Sequence, residues 1–229
     1  MKAVILAGGR GERLRPLTDA VPKPMIRIKG RPFLEHQLEL LKKNGITSFL
    51  LCVGYLKEAV IDHFGDGSRF GLKIEYSTEG SFLGTAGAIK QAEGLLPGEF
   101  ILLYGDSYLP IDYAALVDAW FKRDCSGLVV CYDNSLHIAQ NNIYLSPDNR
   151  IISYNKRSPD SRANYVEAGV SILKKEILGL IPPAGQVSLE EEIFPLLARD
   201  GLLKGYPTSQ RYYDIGAPER LKSIEEVLL

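Results

Sequence analysis

Three short apolar runs constrain the fold of this chain more than any other feature of its sequence. They are KAVILA at 2–7, SFLLCV at 48–53 and EFILLY at 99–104. Each run is rich in aliphatic residues and is followed at once by glycine, which is typical of a buried strand that ends in a turn. Apolar runs without polar alternation are typical of parallel strands that are covered on both faces.

Helical patterns separate these runs. In RPFLEHQLELLKKNG, residues 31–45, leucines recur at three- and four-residue spacing before a closing glycine, and this predicts a helix. Further helices are expected at about 56–64 and from about Thr85. Another amphipathic pattern ends at Trp120 and Phe121, which are both expected in the core. The alternation predicts an α/β fold with a Rossmann-like, mixed and mainly parallel sheet flanked by helices.

The second half of the chain predicts a β-rich region. Strand-like runs occur in SGLVVCYD, NNIYLSPDNRIISYN and ANYVEAGVSIL, with short helices near 174–180 and 189–199. No repeat or long linker interrupts the chain. We therefore expect one domain over 1–229, with halves of about 1–110 and about 111–229.

Composition argues against several classes of protein. A net charge of −1 gives no broad basic surface for a nucleic acid, so no nucleic-acid partner is expected. No apolar run reaches membrane-spanning length, and the first run is too short for a signal peptide. The three cysteines form no CxxC pair and are expected to be reduced. These features together predict a cytoplasmic protein without a membrane partner.

The loop after the first strand has the composition of a phosphate site. Gly8, Gly9 and Gly11 expose backbone N–H groups, Arg13 offers a planar fork, and Lys23 lies between two prolines that stiffen its segment. The loop lacks the Gly-Lys-Ser/Thr of a P-loop, and it fails the G-x-G-x-x-G pattern of dinucleotide-binding enzymes. A polyphosphate ligand of another kind is expected.

The same loop, LAGGRGERLRPLTDAVPKPM at 6–25, resembles the signature loop of the sugar nucleotidyltransferases. Four later segments resemble that family in order: LGTAGAI at 83–89, YGDSY at 104–108, YNKRSP at 154–159 and YYDIGAPERL at 212–221. The similarity spans nearly the whole chain. It is strongest to compact members that transfer a guanylyl group to heptose or mannose 1-phosphate.

The resemblance implies a nucleotidyl transfer in which an NTP and a sugar 1-phosphate give an NDP-sugar and pyrophosphate. The attacking phosphate is already anionic near neutral pH, because its second pKa is about 6, so no general base is required. The main contributions to the reaction barrier are the repulsion between the two anionic substrates and the need to align them. Cationic side chains and Mg²⁺ are expected to lower this barrier. A homo-oligomer is compatible with the family.

The resemblance also implies a set of site residues in four groups. The catalytic cations are Arg13 and Lys23. The nucleotide-binding residues are Leu6, Ala7, Gly8, Gly9, Gly11, Glu79, Gly84, Thr85 and Gly105. The Mg²⁺ ligands are Asp106 and Asp214, and the sugar-phosphate-binding residues are Lys156, Glu167 and Gly169.

Two positions depart from the family pattern. Asn155 precedes Lys156 where the family commonly has Glu, and Glu167 stands where Asn or Thr is common. Glu167 is therefore the candidate for sugar specificity, through hydrogen bonds from sugar hydroxyls. Glu79 is placed to accept from the N1–H and N2–H groups of guanine, which favours GTP.

Simpler interpretations stay open. Asp106 follows a strand and would serve equally as a helix N-cap, and Lys156 would serve as a solvated surface residue. A uridylyltransferase or another nucleotidyltransferase, acting on N-acetylmuramate or glucose 1-phosphate, is the alternative enzyme. A regulatory subunit that binds a sugar nucleotide without turnover is the alternative from another class.

Overall fold

Thirteen strands and six α-helices occur in residues 1–228, the part of the chain that the computed structural model describes. The strands are β1 (Lys2–Ala7), β2 (Arg27–Ile28), β3 (Arg31–Pro32), β4 (Ser48–Val53), β5 (Lys73–Thr78), β6 (Glu99–Tyr104), β7 (Ser107–Tyr108), β8 (Gly127–Tyr132), β9 (Ile143–Leu145), β10 (Ile151–Tyr154), β11 (Val166–Lys174), β12 (Leu203–Thr208) and β13 (Tyr213–Asp214). The helices are α1 (Phe33–Lys43), α2 (Lys57–Phe64), α3 (Gly84–Gln91), α4 (Tyr113–Phe121), α5 (Phe194–Arg199) and α6 (Pro218–Glu225).

The main sheet has the strand order β12–β8–β11–β6–β1–β4–β5. Strand β11 runs antiparallel to both of its neighbours, β6 and β8, whereas the other adjacent pairs are parallel. The predicted α/β fold with a mixed, mainly parallel sheet is confirmed. The β-rich second half is confirmed as well, because β8, β11 and β12 extend the sheet and β9 and β10 form a hairpin.

Side chains of β1 alternate between two cores because successive residues of a strand point to opposite faces. Ala3 and Ile5 pack with residues of α1, α2 and α4, whereas Val4 packs with residues of α3 and α5. All three are fully buried. The apolar runs of the sequence are therefore strands covered on both faces.

Helix α4 corrects one expectation about the core. Trp120 is buried together with Tyr113 and Leu116, which lie on the same face of the helix. Phe121 is 68% exposed, so its predicted burial is wrong. The next residue along a helix points about 100° away, because a turn takes 3.6 residues, and this rotation carries Phe121 off the buried face.

Strand register places the site. Ala7 of β1 pairs with Val53 of β4, and Leu6 pairs with Tyr104 of β6, so these parallel strands end at the same edge. Beyond that edge β7 pairs with β13, which sets Asp214 opposite Ser107. Residues far apart in sequence thus meet where the parallel strands end.

The three cysteines are buried and form no disulfide within the described chain. Among residues 1–228, none of the helices combines the length and the apolar character that crossing a membrane requires.

Candidate active site

A cleft of about 680 Å³ opens where β1 and β6 end. Twelve of the sixteen predicted site residues line it: Leu6, Ala7, Gly8, Gly9, Gly11, Arg13, Lys23, Glu79, Gly84, Thr85, Gly105 and Asp106. Phe82 and Gln186, which the sequence did not indicate, line it as well, together with Gly216 from the YYDIGAPERL segment. The other four predicted residues, Asp214, Lys156, Glu167 and Gly169, lie outside this lining and are described below.

The glycine loop leaves its backbone open to the cleft. A side chain at Gly8 would be too close to Glu79, since a Cβ there would lie 2.5 Å from Glu79 Oε1. The space around Gly9 is open, because no atom lies within 4 Å of the position that a Cβ would take there. Backbone N–H groups without flanking side chains allow close approach of an anion.

The Arg13 guanidinium is exposed and available to a ligand. It lies beside Gly216, where a Cβ would be 3.1 Å from Arg13 Nη2. Within residues 1–228 its side chain takes part in neither an ion pair nor a hydrogen bond to another side chain or to the backbone. A planar fork with unused donors suits phosphate oxygens.

Lys23 and Asp106 form an ion pair in the cleft, with Nζ 2.5 Å from Oδ2. Lys23 begins a short 3₁₀ turn, Lys23–Met25, and the prolines before and after it in sequence, Pro22 and Pro24, are buried and hold its backbone. Asp106 is followed by β7 rather than by a helix, so the alternative interpretation as an N-cap is wrong.

Asp214 reaches the neighbourhood of Asp106 through the β7–β13 pair. The Ile215 N–H donates to the Asp106 carbonyl oxygen at 3.0 Å. The Asp214 carboxylate accepts from the Gly216 N–H at 2.7 Å and pairs with Arg220 Nη1 at 2.6 Å. Each predicted metal carboxylate is therefore paired with a cation of the chain.

The donor chemistry of this pair fits a hard divalent cation. Carboxylate oxygens such as those of Asp106 and Asp214 are suitable ligands for Mg²⁺, which usually keeps several waters and substrate phosphate oxygens. In the described part of the chain, no group of three or more His, Cys, Asp or Glu side chains is arranged to hold a metal ion. The remaining ligands would have to come from the substrate and from water.

Lys156 lies beside the cleft wall. Its Nζ is 2.7 Å from Glu167 Oε2 and 5.6 Å from the ring centre of Tyr104, which lines the cleft. The lysine side chain is 40% exposed, whereas the Glu167 side chain is 4% exposed and also accepts from Tyr154 Oη at 3.1 Å. Lys156 is therefore exposed in part, but its amine is paired with a buried carboxylate. Gly169 packs against Ser107, which fixes β11 beside β7.

Glu190 was missed by the sequence interpretation. Its Oε2 accepts from Thr85 Oγ1 at 2.6 Å and from Ser188 Oγ at 2.8 Å, and the residue is buried. The Thr85 hydroxyl also accepts the Leu189 N–H at 2.9 Å, so it is occupied by protein groups. The run SLEEE looks like an acidic helix start, and nothing local to it indicates a partner in α3.

Glu79 lies in the cleft wall with one oxygen fixed. Its Oε2 accepts the Leu83 N–H at 3.1 Å, and its Oε1 approaches Gly8. Burial raises the pKa of Glu79, and the Leu83 N–H opposes that shift only in part. The carboxyl group is thus poised to titrate at a higher pH than an ordinary glutamate.

Known proteins resemble the whole chain. The mannose-1-phosphate guanylyltransferase of Mycobacterium tuberculosis is 35% identical over 221 residues, which are 95% of this chain and 61% of that protein. A UTP–glucose-1-phosphate uridylyltransferase of Synechocystis is 29% identical over 100% of this chain and 63% of its own length. This chain thus spans less than two thirds of the length of these relatives.

Solved structures resemble its fold. The crystal structure of HddC from Yersinia pseudotuberculosis complexed with GMP-PN superposes with a TM-score of 0.83 at 28% identity, over 100% of this chain and 99% of that one. The sequence pattern of the nucleotidyl transferase family matches residues 2–229. The chain therefore belongs to the nucleotidyl transferase family.

Proposed function

We propose that this chain transfers a nucleotidyl group from an NTP to a sugar 1-phosphate, with release of pyrophosphate. One observation carries the proposal: the glycine loop, Arg13, Lys23 and Asp106 line a single cleft. Open backbone N–H donors, the guanidinium of Arg13 and the ammonium group of Lys23 are suitable partners for the oxygens of a triphosphate. A small neutral ligand would need none of these three kinds of group. Membership in the nucleotidyl transferase family supports the same reaction.

In this reaction a phosphate oxygen of the sugar 1-phosphate forms a bond to the α-phosphorus, and the bond to the leaving pyrophosphate breaks. Arg13 binds the β- and γ-phosphates and stabilises charge on the leaving group. Lys23 leaves its ion pair with Asp106 and binds an oxygen of the α-phosphate instead. Lys156 binds the phosphate of the sugar 1-phosphate. Alignment and fixed positive charge supply the acceleration, because the nucleophile is already ionised.

A divalent cation completes the proposal. Asp106 and Asp214 would hold Mg²⁺, which when bound neutralises phosphate charge. The β7–β13 pair supports this assignment, because it brings Asp214 next to the segment that carries Asp106. The first half of the chain, about 1–110, would bind the nucleotide, and the second half would supply the sugar-phosphate residues.

GTP with mannose or heptose 1-phosphate is the substrate pair that we propose. The guanylyltransferase names of several relatives and the GMP-PN complex of HddC support guanine. Glu79 supports it too, because its carboxylate lies in the cleft wall as an acceptor for guanine N–H groups. UTP with another sugar 1-phosphate is the second candidate, favoured by the uridylyltransferase relative.

Pyrophosphate release tests the proposal. The purified chain is assayed with Mg²⁺, each of GTP, ATP, UTP, CTP and dTTP, and the 1-phosphates of mannose, heptose, glucose and N-acetylmuramate. Release with GTP and mannose or heptose 1-phosphate is expected, and Asp106→Asn should abolish it while the chain stays folded. Release that needs UTP would overturn the guanylyl assignment, and a folded chain that binds an NTP without any release would favour the regulatory alternative.

A further inference from the structure

Two buried carboxylates lie near Lys156, behind the wall of the cleft. Glu167 pairs directly with Lys156, and Glu190 lies behind Thr85 in the cleft wall. Both glutamates are buried. Only Glu167 was expected from the sequence, and the second carboxylate changes the charge of this region.

The charges here do not balance. Lys156 is one cation against the two carboxylates of Glu167 and Glu190. The neighbouring Arg157 is directed elsewhere, since it forms a two-pronged pair with the exposed Glu191 at 2.8 and 2.6 Å. Among these three groups alone, the two carboxylates exceed the lysine by one negative charge.

Lys156 and a hydrogen bond from Thr85 keep Glu190 ionised. Burial alone would raise the pKa of Glu190, but Lys156 and the Thr85 hydroxyl outweigh it and hold that pKa below its ordinary value. Burial disfavours the charged form of Lys156 and so lowers its pKa. Glu167 and Glu190 outweigh burial, and the pKa of Lys156 therefore lies above its ordinary value. The charges of Glu190 and Lys156 therefore persist near neutral pH, and their field is strong because water screens buried groups poorly.

From this placement we infer that the sugar subsite accepts neutral or amino sugar 1-phosphates and rejects sugars that carry a carboxylate. The inference rests on the proposed function and names its substrate class. A uronate or a muramate would bring a third negative charge next to Glu167 and Glu190, where Lys156 is already paired with Glu167. A sugar hydroxyl or ammonium group instead donates to a carboxylate.

One oxygen of the Glu167 carboxylate has no partner within the described chain. Its Oε2 is shared by Lys156 and Tyr154, while its Oε1 has no hydrogen-bond partner among residues 1–228. A carboxylate oxygen with unused lone pairs accepts a hydroxyl and repels another anion. The same atom thus favours one substrate class and opposes the other.

Matched substrates test the inference. The kcat/KM for the best neutral sugar 1-phosphate is compared with that for its C6-carboxylate counterpart and its amino counterpart. The assays use the wild-type chain and the Glu167→Gln and Glu190→Gln variants. Glu191→Gln is the control, because this residue lies in the same acidic run but is exposed and pairs with Arg157.

We expect the wild-type chain to prefer the neutral sugar over its carboxylate counterpart by more than tenfold. The preference should shrink several-fold in Glu190→Gln and Glu167→Gln and persist in Glu191→Gln. Glutamine has nearly the same shape as glutamate, so a preference unchanged in both variants would assign the selectivity to steric fit and overturn the inference. Equal use of both sugars by the wild-type chain would overturn it directly.

The proposed function fails in a different way, through absence of pyrophosphate with every sugar. In that case the dissociation constants of the same sugar pair are measured by calorimetry, with Mg²⁺ and a non-hydrolysable NTP analogue present. Tighter binding of the neutral sugar would support the charge selection without turnover. Equal binding, or no binding of either sugar, would contradict it.

Discussion

Arg13 is the residue whose loss should separate activity from stability most clearly. Its guanidinium is exposed and reaches the cleft beside Gly216. Arg13→Ala should lower kcat by ~100-fold or more, because it removes a fixed donor from the leaving pyrophosphate. Stability should change by less than about 0.5 kcal/mol, as for other exposed positions. Steady-state kinetics and a thermal melt measure the two effects.

Arg15 provides the matched control in the same loop. It is exposed, lies outside the cleft lining and forms an exposed pair with Asp19 at 3.3 Å. Arg15→Ala should leave both kcat and the melting temperature close to those of the wild-type chain. Equal losses in the two alanine variants would mean that the loop responds to net charge rather than to the position of Arg13.

Glu79 should give GTP binding an unusual pH dependence. Burial raises its pKa, so the carboxylate becomes protonated as pH falls at a higher pH than an ordinary glutamate would. A protonated carboxyl cannot accept both guanine N–H groups, so on acidification the KM for GTP should rise at a higher pH than the titration of an ordinary glutamate would produce. Glu79→Gln should raise that KM by ~10-fold at neutral pH, because one bidentate contact is lost, and should flatten its pH profile. A wild-type KM that is constant down to pH ~5 would remove Glu79 from base recognition.

Local chemistry made some of these residues predictable and others not. The phosphate loop could be interpreted from its own twenty residues, because glycines, Arg13 and Lys23 lie close together in sequence. Glu190 could not, since Thr85, which bonds to it, lies 105 positions earlier. The partners of Asp106 and Asp214 were likewise set by tertiary pairing.

At the scale of elements, the start of α3 depends on a glycine. Gly84 has φ of 76°, and a Cβ there would lie 2.4 Å from the Val187 carbonyl oxygen. The Ala86 N–H bonds to that same oxygen at 2.9 Å, so the clash would disturb the contact that joins α3 to the segment before α5. Gly84→Ala should destabilise the chain by about 2 kcal/mol, which is a decrease in Tm of roughly 4–8 °C for this length.

Gly80, in the same connection, is the control for this change. No atom lies within 4 Å of a Cβ at Gly80, and its φ is outside the left-handed region. Gly80→Ala should therefore melt within about 2 °C of the wild-type chain. A Gly84→Ala variant that melts as late as Gly80→Ala would show that Val187 moves aside at little cost.

The elements themselves were predictable to different degrees. Buried parallel strands can be recognised in a sequence as apolar runs, and such runs predicted β1, β4 and β6. The antiparallel insertion of β11 between β6 and β8 was not, because direction within a sheet is decided by the connections and not by the composition of a strand. Phe121 shows the related problem in helices, where one step of rotation separates the core from the surface.

At the scale of the whole molecule, the candidate site joins the two halves of the chain. Arg13, Lys23 and Asp106 come from the first half, whereas Gly216 and the Asp214–Arg220 pair come from the second. A ligand that contacts both sets binds the folded chain and not the unfolded chain. It should therefore stabilise the fold as a unit, in proportion to the logarithm of its concentration over Kd.

Mg²⁺ and the nucleotide should stabilise the chain together far more than either does alone. Without nucleotide, Asp106 and Asp214 are already paired with Lys23 and Arg220. A metal ion must compete with these two cations, so it should bind weakly on its own. A triphosphate attracts both the metal ion and Lys23, which frees Asp106. At concentrations ~100 times Kd, Mg²⁺ and the nucleotide together should raise the free energy of unfolding by about 2.7 kcal/mol. Differential scanning fluorimetry should show this as an increase in Tm of roughly 5–10 °C.

Two variants test the role of the ion pairs. Arg220→Gln should increase the Tm shift that Mg²⁺ gives alone, because Asp214 then has no competing cation. Asp106→Asn should remove the additional Tm shift that Mg²⁺ and the nucleotide give together. If Mg²⁺ alone shifted the wild-type Tm as far as the pair does, the metal ion would bind a site that the two ion pairs do not control.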